Sequence, residues 1–113
     1  MNSRDEVEFG VEVAHINGET VVAVRGEVDA STAAAFRAAV ETFDGEGGRV
    51  VIDLSAVSFM DSSGLSVIAG TLLRQERAGA TLCIRNPRHQ TRQILELSGL
   101  DQLLTIDVTV AHY

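Results

Sequence analysis

Residues 7 to 13 alternate apolar Val7, Phe9, Val11 and Val13 with Glu8, Gly10 and Glu12, the two-residue period of a strand with one buried face. His15-Ile16 leads into Asn17-Gly18, a pair that favours a tight hairpin because both residues tolerate a left-handed backbone. The pattern therefore predicts a second, antiparallel strand through Thr20–Val24, ended by Arg25-Gly26-Glu27-Val28-Asp29. Ser31 or Thr32 can cap a helix over Ala33–Phe43, where Phe36, Val40 and Phe43 fall on one face at i, i+4 and i+7. Asp44-Gly45-Glu46-Gly47-Gly48 stops that helix. It precedes a strand and carries two acids, which makes it a solvated loop rather than a phosphate cradle.

Val50–Leu54 is apolar on both alternate sets except at Asp53, as an interior parallel strand requires. A short turn then sets Asp61, Ser62 and Ser63 at the start of a second helix that runs to about Arg77, with Gly79 as its stop. Ala80–Arg85 reads as another strand. Asn86 caps a third helix with Pro87 at its first position; the helix carries Ile94, Leu95 and Leu97 and ends at Ser98-Gly99. Leu103–Ile106 is a last short strand, and residues 107–113 extend it or fray. The order predicts one α/β domain over residues 1–113 with its core at about 7–106. A hairpin opens a mixed, mostly parallel sheet whose strands are joined by right-handed helical crossovers.

Placing the second helix at 100° per residue puts Leu65, Ile68, Ala69 and Leu72 on a core stripe. Ser66, Gly70, Leu73 and Arg77 form a neighbouring stripe, and Val67 points roughly away from the core. A solvated face would favour Lys, Glu or Gln there, so Ser66, Val67 and Gly70 suggest a surface cleared for another protein. The competing reading is that loops cover Val67 and that Gly70 relieves crowding against the sheet. Ser62 and Ser63 have two readings as well: a helix-capping hydroxyl, or one cap beside one exposed hydroxyl. A phosphate at this spot would bring roughly −2 charge, which a helix N-terminus tolerates without unfolding the domain.

Composition narrows the partners. The chain of 113 residues is 45% hydrophobic and 22% charged, ordinary for a globular protein long enough to bury one core. Nine basic against sixteen acidic residues give −7, which disfavours nucleic-acid phosphates and anionic membranes. Four Phe, one Tyr and no Trp leave no stacking platform for bases. Cys83 is the single cysteine, so neither an internal disulfide nor a cysteine-rich metal site is expected. The N-terminus does not resemble a secretory signal, and no apolar run approaches the ~20 residues that span a bilayer. A cytoplasmic protein with a protein partner, and with neither cofactor nor metal, is the expectation.

Val50 to Gly70, centred on Leu54-Ser55-Ala56-Val57-Ser58-Phe59-Met60-Asp61-Ser62-Ser63-Gly64-Leu65, resembles the STAS-domain anti-sigma factor antagonists of bacteria. Gly26-Glu27-Val28-Asp29 is similar to that family's Gly-Glu-Leu/Ile-Asp element, and Leu97-Ser98-Gly99-Leu100 to its late Ser-Gly-Leu turn. The resemblance implies an open sheet with helices mainly on one side. It also implies an antagonist that, unphosphorylated, binds an anti-sigma factor serine/threonine kinase and frees a sigma factor. The bound kinase would use ATP to phosphorylate Ser62, with Ser63 the second choice, and a serine phosphatase would restore the active form. Asp29, Asp61, Ser63, Gly64, Ser66, Val67 and Gly70 are the candidate partner contacts, and Asp29 has the alternative role of capping the first helix. Many relatives carry a final helix where this chain has Asp107–Tyr113.

Two alternatives differ in class. A serine hydrolase would need a nucleophile elbow, but Met60-Asp61-Ser62-Ser63-Gly64 lacks its first glycine, and His15, His89 and His112 show no local pattern tying them to Ser62. A STAS module that binds a small ligand or joins a stress-signalling assembly is the other. Retention of both serines favours the phosphorylated antagonist.

Overall fold

The hairpin forms where the sequence places it, with Asn17 at φ 50° and Gly18 at φ 80° joining β1 (Gly10–Ile16) to β2 (Glu19–Val28) in antiparallel register. The computed structural model describes residues 7–42 and 48–108, so Phe43, most of the loop after it and the final five residues of the tail lie outside the described residues. After β2 come α1 (Ala33–Glu41), β3 (Arg49–Met60), α2 (Ser62–Arg77), β4 (Thr81–Arg85), α3 (His89–Ser98) and β5 (Thr105–Asp107), with a 3₁₀ turn over Leu100–Gln102 before the last strand. The sheet order is β1-β2-β3-β4-β5; the first pair is antiparallel and the others parallel. Each crossover moves one strand in the same direction, so right-handed connections bring the helices to one side of the sheet.

Alternation along the strands divides the sheet into two faces. Val22, Val24 and Val28 of β2 and Ile52, Leu54, Val57 and Met60 of β3 are buried against Phe36, Val40, Ile68 and Leu72 of the helices. On the other face, Val51 and Cys83 pair in register and are also buried. Arg49 Nε lies 2.8 Å from Glu19, and Arg85 lies within 3.8 Å of Glu19 and 3.5 Å from Asp107, so charged side chains reach across that face. Burial pushes the Cys83 thiol above its ordinary pKa, which keeps it protonated and inert.

Several boundaries depart from the sequence reading: β1 starts at Gly10 rather than residue 7 and leaves Val7 and Val13 exposed, and β2 continues to Val28 through residues expected to end it. β3 continues through Ser55–Met60, which the sequence suggests is a turn, because β2 pairs with it up to Val28↔Met60 across two register shifts. α3 starts at His89 rather than Pro87, because Asn86 adopts a left-handed φ of 52° and Pro87 stays in the connection. β5 begins at Thr105, since Leu100–Gln102 turns as a 3₁₀ helix first.

Candidate functional site

The β2–β3 ladder runs to Val28↔Met60 and is followed by a hydrogen bond from the Asp61 N–H to the Val28 carbonyl at 3.1 Å. This contact brings Asp29 and the Asp61-Ser62-Ser63-Gly64 run to the same edge of the sheet. Asp61 is the N-cap of α2: its backbone is extended, and its carboxylate accepts from the Ser63 N–H at 2.8 Å. The Asp61 carbonyl accepts from Gly64 N–H at 3.1 Å and Leu65 N–H at 3.2 Å, which closes the first turn. Because a carboxylate serves as the cap, neither serine has to. Ser62 is exposed and its hydroxyl makes no hydrogen bond among the described residues, whereas Ser63 is half-buried.

Gly64 faces inward. A Cβ at this position would meet Met60 Cγ at 2.6 Å and a Val28 methyl at 2.8 Å, so the glycine lets α2 sit close on the strand ends. It is buried and offers no surface to a partner, which corrects the expectation for Gly64.

Val67 requires the larger correction. It is 0% exposed and belongs to the core, as do Ile68, Thr71, Leu72 and Gln75. The buried stripe of α2 is thus turned by about one residue from the one the apolar pattern suggests. Thr71 can lie inside because its hydroxyl donates to the Val67 carbonyl at 2.8 Å, which removes the penalty of burying it unpaired. Ser66 is exposed, with its hydroxyl donating to the Ser62 carbonyl at 3.0 Å. Gly70 is half-buried, and a Cβ there would meet only the Arg74 guanidinium, at 3.2 Å. Leu73, 54% exposed, continues the outward stripe. The outward face of α2 therefore reads Ser62, Ser66, Gly70 and Leu73, without Val67.

Asp29 organises the approach to α1. Its carboxylate accepts from the Ser31 N–H at 2.9 Å and the Ser31 hydroxyl at 2.6 Å, and its carbonyl accepts from the Thr32 and Ala33 N–H groups at 3.1 and 2.9 Å. The Ser31 hydroxyl and N–H hold the carboxyl below its ordinary pKa. Thr32 is the N-cap residue of α1, but its hydroxyl makes no capping bond: it accepts from the Asp29 N–H at 3.0 Å and donates to the Glu27 carbonyl at 2.9 Å. Asp29 thus shapes the turn into α1 while standing beside the Ser62 edge. A cleft of about 440 Å³ beyond it is lined by Glu8, Glu27 and Asp29 together with Thr32 and Ser58, an acidic surface that disfavours anionic ligands.

Nothing in this geometry builds a triad. His15 Nδ1 is 3.1 Å from the Thr20 hydroxyl, at the end of β2 remote from Val28, and His89 is exposed at the start of α3. His112 lies outside the described residues. Among the described residues no three His, Cys, Asp or Glu side chains gather as metal ligands, and no helix is long and apolar enough to cross a membrane.

A family model described as the STAS domain matches residues 10–112. The anti-sigma-F factor antagonist RsfB of Mycobacterium tuberculosis is 36% identical over 103 residues, covering 88% of this chain and 82% of that protein. A crystal structure of an anti-sigma factor antagonist from Mycobacterium paratuberculosis superposes with a TM-score of 0.83 at 31% identity, covering 91% of this chain and 88% of that one. SpoIIAA in its unphosphorylated form shares the fold at a TM-score of 0.75 and 24% identity, covering 91% and 89% of the two chains.

Proposed function

The chain belongs to the STAS-domain anti-sigma factor antagonist family, and we propose that it is a phosphorylation-switched antagonist in the cytoplasm. Unphosphorylated, it binds an anti-sigma factor that is also a serine/threonine kinase and so frees a sigma factor. Phosphorylation at Ser62 by that kinase ends the binding, and a serine phosphatase restores it. The observation that carries this reading is the division of labour at the start of α2. Asp61 caps the helix, and the Ser62 hydroxyl is exposed and unbonded among the described residues, at the positive end of a 16-residue helix.

The physics of the switch follows from that placement. A phosphate on Ser62 adds roughly −2 charge at the positive end of the α2 dipole, which tolerates it, so the fold persists. The same charge lands beside Asp61 and Asp29 on a chain of net charge −7, so a partner seated across Ser62, Ser66 and Gly70 meets a repulsive field. Ser63, half-buried where Ser62 is exposed, is the second candidate acceptor and part of the contact surface. The test is the affinity of Ser62→Asp for the anti-sigma factor kinase: binding falls at least tenfold while the Tm stays within about 2 °C of wild type. Unchanged affinity would sink the switch.

A further inference from the structure

β3 outruns its neighbour on one side. β4 ends at Arg85, opposite Asp53, so the stretch Ser55–Met60 has no strand along that edge. The segment that opens α3 takes the strand's place. Arg88 Nε donates to the Ser55 carbonyl at 2.8 Å. Gln90, one residue into α3, bonds Met60 twice: its Oε1 accepts from the Met60 N–H at 3.0 Å, and its Nε2 donates to the Met60 carbonyl at 2.8 Å. One primary amide thereby supplies both halves of a strand-ladder pair, which satisfies backbone groups that would otherwise be unpaired.

The position of that pair matters more than its existence. The peptide unit between Met60 and Asp61 is gripped at both ends: its carbonyl by Gln90 of α3, and its N–H by the Val28 carbonyl of β2 at 3.1 Å. Asp61 follows at once, and from Asp61 the carboxylate and carbonyl set the N–H groups of Ser63, Gly64 and Leu65. Ser62 thus hangs from a clamped peptide through a single residue. With the clamp released, Met60 Cγ and the Val28 methyl still fix Gly64 from below, but the orientation of the Asp61 cap loses its anchor on the α3 side.

We infer that Gln90 is the positioning residue for Ser62, fixing the Met60–Asp61 peptide so that the acceptor hydroxyl is presented in one geometry. The inference rests on Ser62 being the phosphoacceptor only in its consequence for phosphoryl transfer; the clamp itself is a property of the fold. Gln90 touches no transferred group and acts through the backbone, so its loss alters how Ser62 is presented rather than whether a partner can land on α2.

The test uses the full chain with Gln90→Met, which keeps length and loses both hydrogen bonds. Ile94→Ala serves as control, a half-buried residue of the same helix packed against the core. Site-resolved amide exchange by NMR is read first. In Gln90→Met the Met60 N–H and the amides of Ser63, Gly64 and Leu65 exchange about tenfold faster, while β2 amides do not, the change expected for one lost hydrogen bond. Phosphorylation is read second, with labelled ATP and an anti-sigma factor serine kinase that binds the wild-type chain. Gln90→Met lowers the kcat for Ser62 labelling about tenfold and leaves KM within twofold; Ile94→Ala leaves both unchanged. Exchange at Met60 and in the first turn of α2 equal to that of the control overturns the clamp. A kcat equal to wild type with faster exchange overturns the positioning role. Should wild type take no label at Ser62, the proposed function falls, and the exchange arm still decides the clamp. If Gln90→Met does not fold, Gln90→Glu, which keeps the acceptor and loses the donor, is read by the same criteria.

Discussion

The carboxylate of Asp61 accepts the backbone N–H of Ser63 at 2.8 Å, and that one bond decides the standing of Ser62. Serine at a helix start is ordinarily a cap, with its hydroxyl turned to the backbone. With Asp61 in that place, Ser62 sits one position into the helix, where a side chain projects outward and its hydroxyl has no structural duty.

Asp61→Ala removes the cap and leaves an N–H of the first turn unpaired. The loss should be about 1 kcal/mol, a fall in Tm of roughly 4 °C. Replacement by Asn or Ser, which cap as well, should recover most of it. Differential scanning calorimetry of the three variants checks the order; an Ala variant as stable as wild type would contradict the capping role.

Ser66 and Val67 are adjacent in sequence and opposite in role. Val67→Ala opens a cavity beneath α2 and should cost about 2 kcal/mol in denaturant unfolding. Ser66→Arg, on the exposed face, should change stability by less than about 0.5 kcal/mol yet weaken binding of the anti-sigma factor at least tenfold by blocking close approach. Unfolding curves and titration calorimetry on the pair separate the two effects, and a Val67→Ala variant of native stability would return Val67 to the surface.

Asp29 carries a pH signature. Ser31 donates to its charged form, so the folded pKa is lowered. A lowered carboxyl pKa adds stability in full above the unfolded value and loses it as the pH falls through the folded one. Asp29→Ala should therefore be less stable than wild type at pH 7, with the gap narrowing below the ordinary carboxylate pKa. Urea unfolding of both proteins across pH 2 to 7 measures it; a gap independent of pH would mean that the charge on Asp29 does not matter.

What the sequence disclosed was local. Asn17-Gly18 dictates the hairpin, and Gly79 and Gly99, both at positive φ, end helices where the pattern places them. Phe36 and Val40 bury as their spacing requires. What stayed hidden was tertiary. Ser55, Ala56 and Ser58 read as a turn because small residues and serines weaken the strand pattern, yet they continue β3 because β2 pairs on one edge and Arg88 and Gln90 bond the other. The inward face of α2 is not legible in the apolar pattern because Thr71 and Gln75, both buried, look like surface residues. Only the hydrogen bond from Thr71 to Val67 shows how the helix tolerates the threonine inside, and that rotation is what carries Val67 into the core. At the start of α2, Ser62 and Ser66 are exposed as helix spacing suggests, but the cap is the Asp61 carboxylate and not a serine hydroxyl, as the sequence reading has it. Gln90 was not legible, since thirty residues separate it from Met60.

Ser62 is the phosphoacceptor of the proposed switch. The most direct test is mass-spectrometric mapping of phosphate on the wild-type chain and on Ser62→Ala after incubation with the anti-sigma factor kinase and ATP. One phosphate is expected on wild type, at Ser62, and none on the variant; a phosphate that persists on Ser62→Ala, at Ser63 or elsewhere, would overturn Ser62 as the acceptor.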